Sequence, residues 1–161
     1  MAAEKSTSTC ISSPAEMSQI GEDAGAYKAS KKQLYSFLSA IPAGAFIALA
    51  FIFYTTTQTG AAGAPWGLTK LVGGLVFSVG VIMVVVCGSE LFTSSTMTLV
   101  ARAAGRISTL QMLRNWAVVY CGNFIGSVFI ALVVWFAGQT MAANGQWGLT
   151  ILNTAQHKIH H

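Results

Sequence analysis

The sequence predicts an all-α membrane protein with three transmembrane helices, the second of them broken. Composition is the first reason: 53% of the 161 residues are hydrophobic and only 9% charged, and mean hydropathy is +0.59. A soluble domain carries about a quarter of its residues as Asp, Glu, Lys or Arg, so most of this surface does not face water. The placement of charge is the second reason. Glu4, Glu16, Glu22 and Asp23 precede every apolar run, Glu90 is the only later acid, and between Gln33 and Ala101 the only charges are Lys70 and Glu90. The same figures exclude a disordered chain. They also exclude a nucleic-acid binder, which would gather Lys and Arg on one face, so the formal charge of +4 is no such signal.

The elements follow in order. Residues 1–33 form a polar leader, with no secretory signal because its first apolar run comes too late. Within it Ser13 and Pro14 are placed to cap and begin a short amphipathic helix through Met17 and Ile20. Residues 34–56 are uncharged and long enough for a first span, about 20 residues sufficing. Neighbouring helices can re-satisfy the carbonyl freed by Pro42, and Ala40, Gly44 and Ala48 permit close helix packing.

A turn-rich segment ending in Trp66, a residue suited to a membrane interface, leads to the second run. Residues 71–101 would make a straight helix of about 46 Å, too long for a hydrocarbon core of about 30 Å. A break within residues 88–95 resolves the excess. Arg102, Arg106 and Arg114 mark a loop, with Gly105 as a helix stop. Residues 115–137 form the third span, with Gly122 and Gly126 in small-xxx-small spacing, and residues 138–161 a polar tail. Lys5, Lys28, Lys31, Lys32 and the three arginines fall on one side, Lys70 and Lys158 on the other. The basic excess puts the N-terminus in the cytoplasm and the tail outside.

Glu90 is the informative residue. A carboxylate at mid-membrane costs about 2.5–3.5 kcal/mol on insertion scales, and a broken helix offers compensation. Backbone N–H groups exposed at the break can bond the carboxylate, while Thr93, Ser94, Ser95 and Thr96 can serve the freed carbonyls. Interrupted helices at depth are where transporters place their selective sites; a structural helix contact by Glu90 is the alternative. Cys10, Cys87 and Cys121 are too few and scattered for a disulfide framework or zinc site. His157, His160 and His161 lack an accompanying carboxylate or cysteine, so no metal site is expected. No catalytic arrangement occurs in the spans, so neither an enzyme nor a cofactor is expected.

The run Val85 to Ser94 resembles the signature of the formate/nitrite transporter family, in which a glycine and an acid precede Leu-Phe-Thr at an interrupted second helix. Similarity continues through AGAYKASKKQLYSF, PWGLTKLVGGLVFSVG, ARAAGRIS, NWAVVYCGNFIGS and MAANGQWGLTILNTAQHKIHH. The resemblance implies an aquaporin-like fold of two inverted three-helix repeats, of which this chain supplies one and the lead-in to an absent fourth helix. It implies a homopentamer in the lipid of the bacterial inner membrane, moving formate and related small anions, with proton exchange through a histidine of the second repeat. Nitrite, hydrosulfide or lactate are alternative substrates, and a non-conducting three-helix membrane protein is the rival reading.

By the same resemblance Leu91, Phe92 and Thr93 form the interrupting loop beside a central constriction, and Phe77 matches a pore-lining aromatic. Val81 stands where leucine is usual, which would widen the constriction. Lys158 matches a cation on the outer approach, with a solvated loop lysine as the alternative. Glu90 is assigned to holding the loop, since an exposed carboxylate would repel an anion.

Overall fold

The computed structural model of the chain describes residues 13–160, so Glu4, Lys5, Cys10 and His161 lie outside the described residues. Among the described residues the leader forms helix α1 (Pro14–Ser30). Ser13 caps it reciprocally, its hydroxyl accepting from Glu16 N–H while the Glu16 carboxylate accepts from Ser13 N–H at 2.7 Å. An apolar face through Met17 and Ile20 is not what packs: both are exposed, and the buried positions are Gly25 and Ala29. Small residues win because α1 lies almost backbone to backbone on the segment that follows the break. A Cβ at Gly25 would stand 2.9 Å from the Met97 carbonyl.

Three helices are long and apolar enough to cross a membrane: α2 (Gln33–Gln58), α3 (Trp66–Val86) and α6 (Thr109–Phe136). Two begin earlier than the apolar pattern suggests. α3 starts at Trp66 rather than 71 because Lys70 does not end it: the ammonium reaches Gln58 Oε1 at 3.0 Å and Tyr54 Oη at 3.2 Å, so the charge stays at the polar end of the span. α6 starts at Thr109 rather than 115 because Ser108 and Gln111 form a second capping box. Between the two lie α4 (Phe92–Ser95) and α5 (Thr98–Ala103), with Gly105 at φ +74° ending α5.

The interior is built from small residues while large apolar ones point outward, the reverse of a soluble core. Ala40, Ala43, Gly44, Gly122 and Gly126 are buried between α2 and α6, whereas Leu71, Leu75, Phe124 and Phe136 are exposed. Lipid offers no hydrophobic gain for burying leucine, so close backbone contact holds the helices together. Ser127 Oγ donates to the Gly44 carbonyl at 3.1 Å, beside Pro42. The tail carries a helix, α7 (Gln146–Ile159), fixed by buried Trp147, whose indole N–H donates to Thr56 Oγ1 at 3.1 Å.

A Cβ at Gly126 would sit 1.9 Å from the Ile41 carbonyl oxygen, whereas one at Gly74 would meet nothing within 4 Å. Gly126→Val is therefore expected to separate α2 from α6 at a cost of about 3 kcal/mol or more, at or above the upper end for overpacking. Gly74→Val should leave the melting temperature in detergent within about 2 °C, a change of under ~1 kcal/mol. Thermal unfolding followed by fluorescence compares them.

Candidate functional site

Gly88, at φ +60°, turns the chain out of α3, and residues 89–91 lie in no helix before α4 begins. The break lies beside Ser39, whose carbonyl and hydroxyl both accept from Glu90 N–H, at 3.3 and 3.2 Å. Ser39 is about 9 Å along α2 from its start, so the break sits toward the basic side rather than midway.

One residue of α6 holds this turn. Asn123 Oδ1 accepts from Phe92 N–H at 2.8 Å, and its amide nitrogen donates to the carbonyls of Glu90 at 2.9 Å and Ala40 at 2.7 Å. Trp116 adds a second tie, its indole N–H donating to Ser95 O and Thr98 Oγ1 at 3.0 and 2.9 Å. Ser94 and Ser95 hydroxyls return to the Leu91 carbonyl, and Thr96 to that of Thr93. Thr93 departs from the expectation that it would serve a freed carbonyl: its hydroxyl bonds nothing among the described residues and its side chain is exposed.

The partners expected for Glu90 are also corrected. Its carboxylate takes no backbone N–H; it accepts from two ammonium groups of the leader, Lys28 to Oε2 and Lys31 to Oε1, each at 2.5 Å. Glu90 is 1% exposed. The reason is reach: α1 packs along the broken segment, so its last turn delivers cations to the spot, and ammonium groups compensate a buried carboxylate better than neutral donors. Lys28 also donates to Ser94 Oγ at 3.2 Å. Lys31 further lies over the rings of Tyr27 and Tyr35, at 4.8 and 5.5 Å.

An open cleft of about 530 Å³ lies against the break, lined by Val81, Leu91 and Thr93 together with Lys28, Lys31, Glu90 and Tyr27. Two cations against one carboxylate leave it net positive. Phe77, one helical turn from Val81, stacks edge-on against Phe51 at 5.1 Å, and the Lys158 ammonium stands 5.6 Å from the Phe51 ring. Of the six pathway residues predicted from sequence, Val81, Leu91 and Thr93 therefore line one cleft, Phe77 lies one turn away along α3, and Lys158 is linked to Phe77 only through Phe51. Phe92 does not join them. Its ring packs edge-on against Tyr120 at 5.6 Å and Trp116 at 6.2 Å, toward α6.

Sequence reasoning missed Asn123, Lys28 and Lys31. Asn123 had a visible signal, being an amide in an uncharged span that has to find partners. The lysines had none, since nothing in the pattern folds the leader back onto the break. Removing the amide by Asn123→Leu leaves the Phe92 N–H and the Glu90 carbonyl without that partner, takes one added bond from the Ala40 carbonyl of α2, and is expected to cost about 3 kcal/mol or more, read as a lowered melting temperature. Glu90→Gln should cost a similar amount, about 3 kcal/mol, at the low end for a broken buried pair. It should also speed tryptic cleavage after Lys28 and Lys31 at least tenfold, whereas Glu16→Gln leaves that rate unchanged.

Residues 15–161 match the model of the formate/nitrite transporter family. The chain is 73% identical over 148 residues to the formate channel FocA of Haemophilus influenzae, covering 92% of this chain and 52% of that protein. It is 51% identical to formate channel FocA of Escherichia coli K12 over the same shares, and 41% identical to its formate channel FocB. It thus spans about half the length of the curated relatives it matches. A solved pentameric formate channel with formate bound superposes with a TM-score of 0.74 at 50% identity, over 80% of this chain and 51% of that one. On this breadth of match, together with the interrupted second helix and its Leu-Phe-Thr turn, the chain belongs to the formate/nitrite transporter family.

Proposed function

We propose that the chain forms part of the wall of a pathway for formate and related small monovalent anions across the bacterial inner membrane, in a homopentamer with its N-terminus in the cytoplasm. The observation that carries this reading is the cleft at the break, where an unengaged Thr93 hydroxyl, two apolar side chains and a net positive charge stand together. The named relatives, all formate channels, support formate as the anion.

An anion entering apolar surroundings loses hydration worth on the order of tens of kcal/mol in the ideal limit. The site offsets this in stages. Lys158 attracts the anion on the outer side, against the aromatic pair Phe51 and Phe77. Val81 and Leu91 narrow the way, so water is shed, and Thr93 Oγ donates a hydrogen bond in its place. Lys28 and Lys31 draw the anion inward. Glu90 does not repel it, because both carboxylate oxygens are already engaged by those lysines. Formate that takes up a proton on the way crosses the apolar stretch as a neutral acid, at much lower cost. The orientation rests on the basic excess around α1 and the α5–α6 turn.

In proteoliposomes of the full-length protein, Thr93→Ala is expected to lower formate flux about tenfold, the weight of one hydrogen bond to a charged group. Thr93→Ser should retain most of the flux. Unchanged flux and selectivity in Thr93→Ala removes Thr93 from the pathway. Stronger competition by nitrite than by formate in the same vesicles makes nitrite the principal substrate.

A further inference from the structure

A second pocket, of about 390 Å³, lies between the α1–α2 connection and the first turns of α6, lined by Lys32, Gln33, Gln111 and Arg114 among others. It is separate from the cleft at the break, sharing only Lys31, whose ammonium is already bound to Glu90. The side chains of Lys32 and Arg114 make no ion pair or hydrogen bond among the described residues, and no acidic side chain among those residues lines the pocket. Two more groups suit an anion. The Gln111 carbonyl is engaged by Ser108 N–H at 2.8 Å, which leaves its amide N–H groups to donate. Lys32 caps α2 without any side-chain bond, so the first N–H groups of that 26-residue helix are open at the pocket.

The depth of the pocket decides what kind of anion it suits. It stands where α2 and α6 begin, and the first two turns of those helices carry exposed leucines, Leu34 and Leu38 on α2 and Leu110 and Leu113 on α6. A charged recess bordered by exposed leucines matches a molecule with an anionic head and apolar chains. Six of the eight basic residues among the described ones, Lys28, Lys31, Lys32, Arg102, Arg106 and Arg114, lie on this side of the spans, and basic pockets between helices on that side are suited to anionic headgroups.

We propose that this pocket binds the phosphate of an anionic phospholipid in the cytoplasmic leaflet. Lys32 and Arg114 clasp the phosphate, Gln111 donates to it, and the acyl chains run along Leu34, Leu38, Leu110 and Leu113. Nothing in this assignment depends on which anion the pathway carries.

Native mass spectrometry of the full-length protein, released from micelles containing phosphatidylglycerol or phosphatidylethanolamine, tests the site. Phosphatidylglycerol is expected to remain bound at least tenfold more tightly than phosphatidylethanolamine. Lys32→Gln with Arg114→Gln should abolish that preference, about 30-fold for two basic contacts, while Lys32→Arg with Arg114→Lys retains it and shows that charge is what matters. Arg102→Gln with Arg106→Gln removes equal charge from the same side, away from the pocket, and should change binding less than threefold. Equal loss in the two glutamine pairs would overturn the site in favour of diffuse surface charge. Full displacement by millimolar inorganic phosphate would overturn the lipid assignment in favour of a free-anion site. A disulfide formed between subunits by Lys32→Cys in the membrane would overturn it in favour of a subunit interface. Should the glutamine pair fail to fold, loss of the phosphatidylglycerol preference on adding spermine, with the arginine–lysine exchange as comparison, supports the same site, and an unmoved preference sinks it.

Discussion

A helix broken inside a hydrocarbon layer frees backbone groups that no water is present to take up, and the side chain of Asn123 takes up two of them at once while also reaching α2. Its one carbonyl and one amino group meet Phe92 N–H, the Glu90 carbonyl and the Ala40 carbonyl. The first two lie on either side of the break and the third on α2. One amide therefore fixes the broken segment to α6 and α6 to α2. That explains why the helices have to approach so closely: Asn123 is a short side chain, and it spans to α2 only because Gly44 leaves its own Cβ position empty beside the Asn123 backbone. The small residues and the amide are one device, since a larger residue at Gly44 would push Asn123 out of reach.

With the backbone groups assigned, the Glu90 carboxylate is left to a different task. Its two oxygens bind the last turn of α1 through Lys28 and Lys31, so the leader becomes part of the membrane-facing structure rather than a polar tail. The ion pair between Arg106 and Asp23 ties α1 a second time, at the turn after α5. The second contact is exposed and worth little. The first is nearly buried, and its weight lies in specificity of docking more than in net stability, because desolvation offsets much of the attraction. It also settles an electrostatic difficulty: one acid alone at the break would repel an anion, and one acid with two lysines attracts it.

Much of this was legible in the sequence, and the reason differs by element. The spans α2, α3 and α6 are readable because uncharged runs of that length have one physical use, and the break because residues 71–101 exceed the width of the core. Helix starts were less readable. Lys70 looked like a boundary but is accommodated by snorkelling, and the capping box at Ser108 was hidden among arginines. α7 was read as tail because its apolar content is low, and its buried anchor is the single residue Trp147. The partners of Glu90 were unreadable for a deeper reason: local backbone donors are visible in a sequence, whereas cations 59 and 62 positions away enter only through the fold.

The tripeptide Leu91-Phe92-Thr93 shows how the fold divides labour within a single turn. Leu91 precedes the four-residue helix α4 in an extended conformation, φ −103° and ψ +137°, so the side chains of Leu91 and Phe92 leave the backbone on opposite sides. Leu91 and Thr93 line the cleft, and Phe92 between them goes the other way, into the aromatic group with Trp116 and Tyr120. In the proposed pathway Phe92 therefore acts only through position. Its backbone N–H is held by Asn123 and its ring by α6, and these two anchors aim the neighbours on either side. A bulky, immobile residue between two lining residues gives the loop the stiffness that a hydroxyl needs if it is to replace a water lost by an anion. A flexible loop would have to be ordered at each passage, and that entropy would offset the hydrogen bond the threonine supplies.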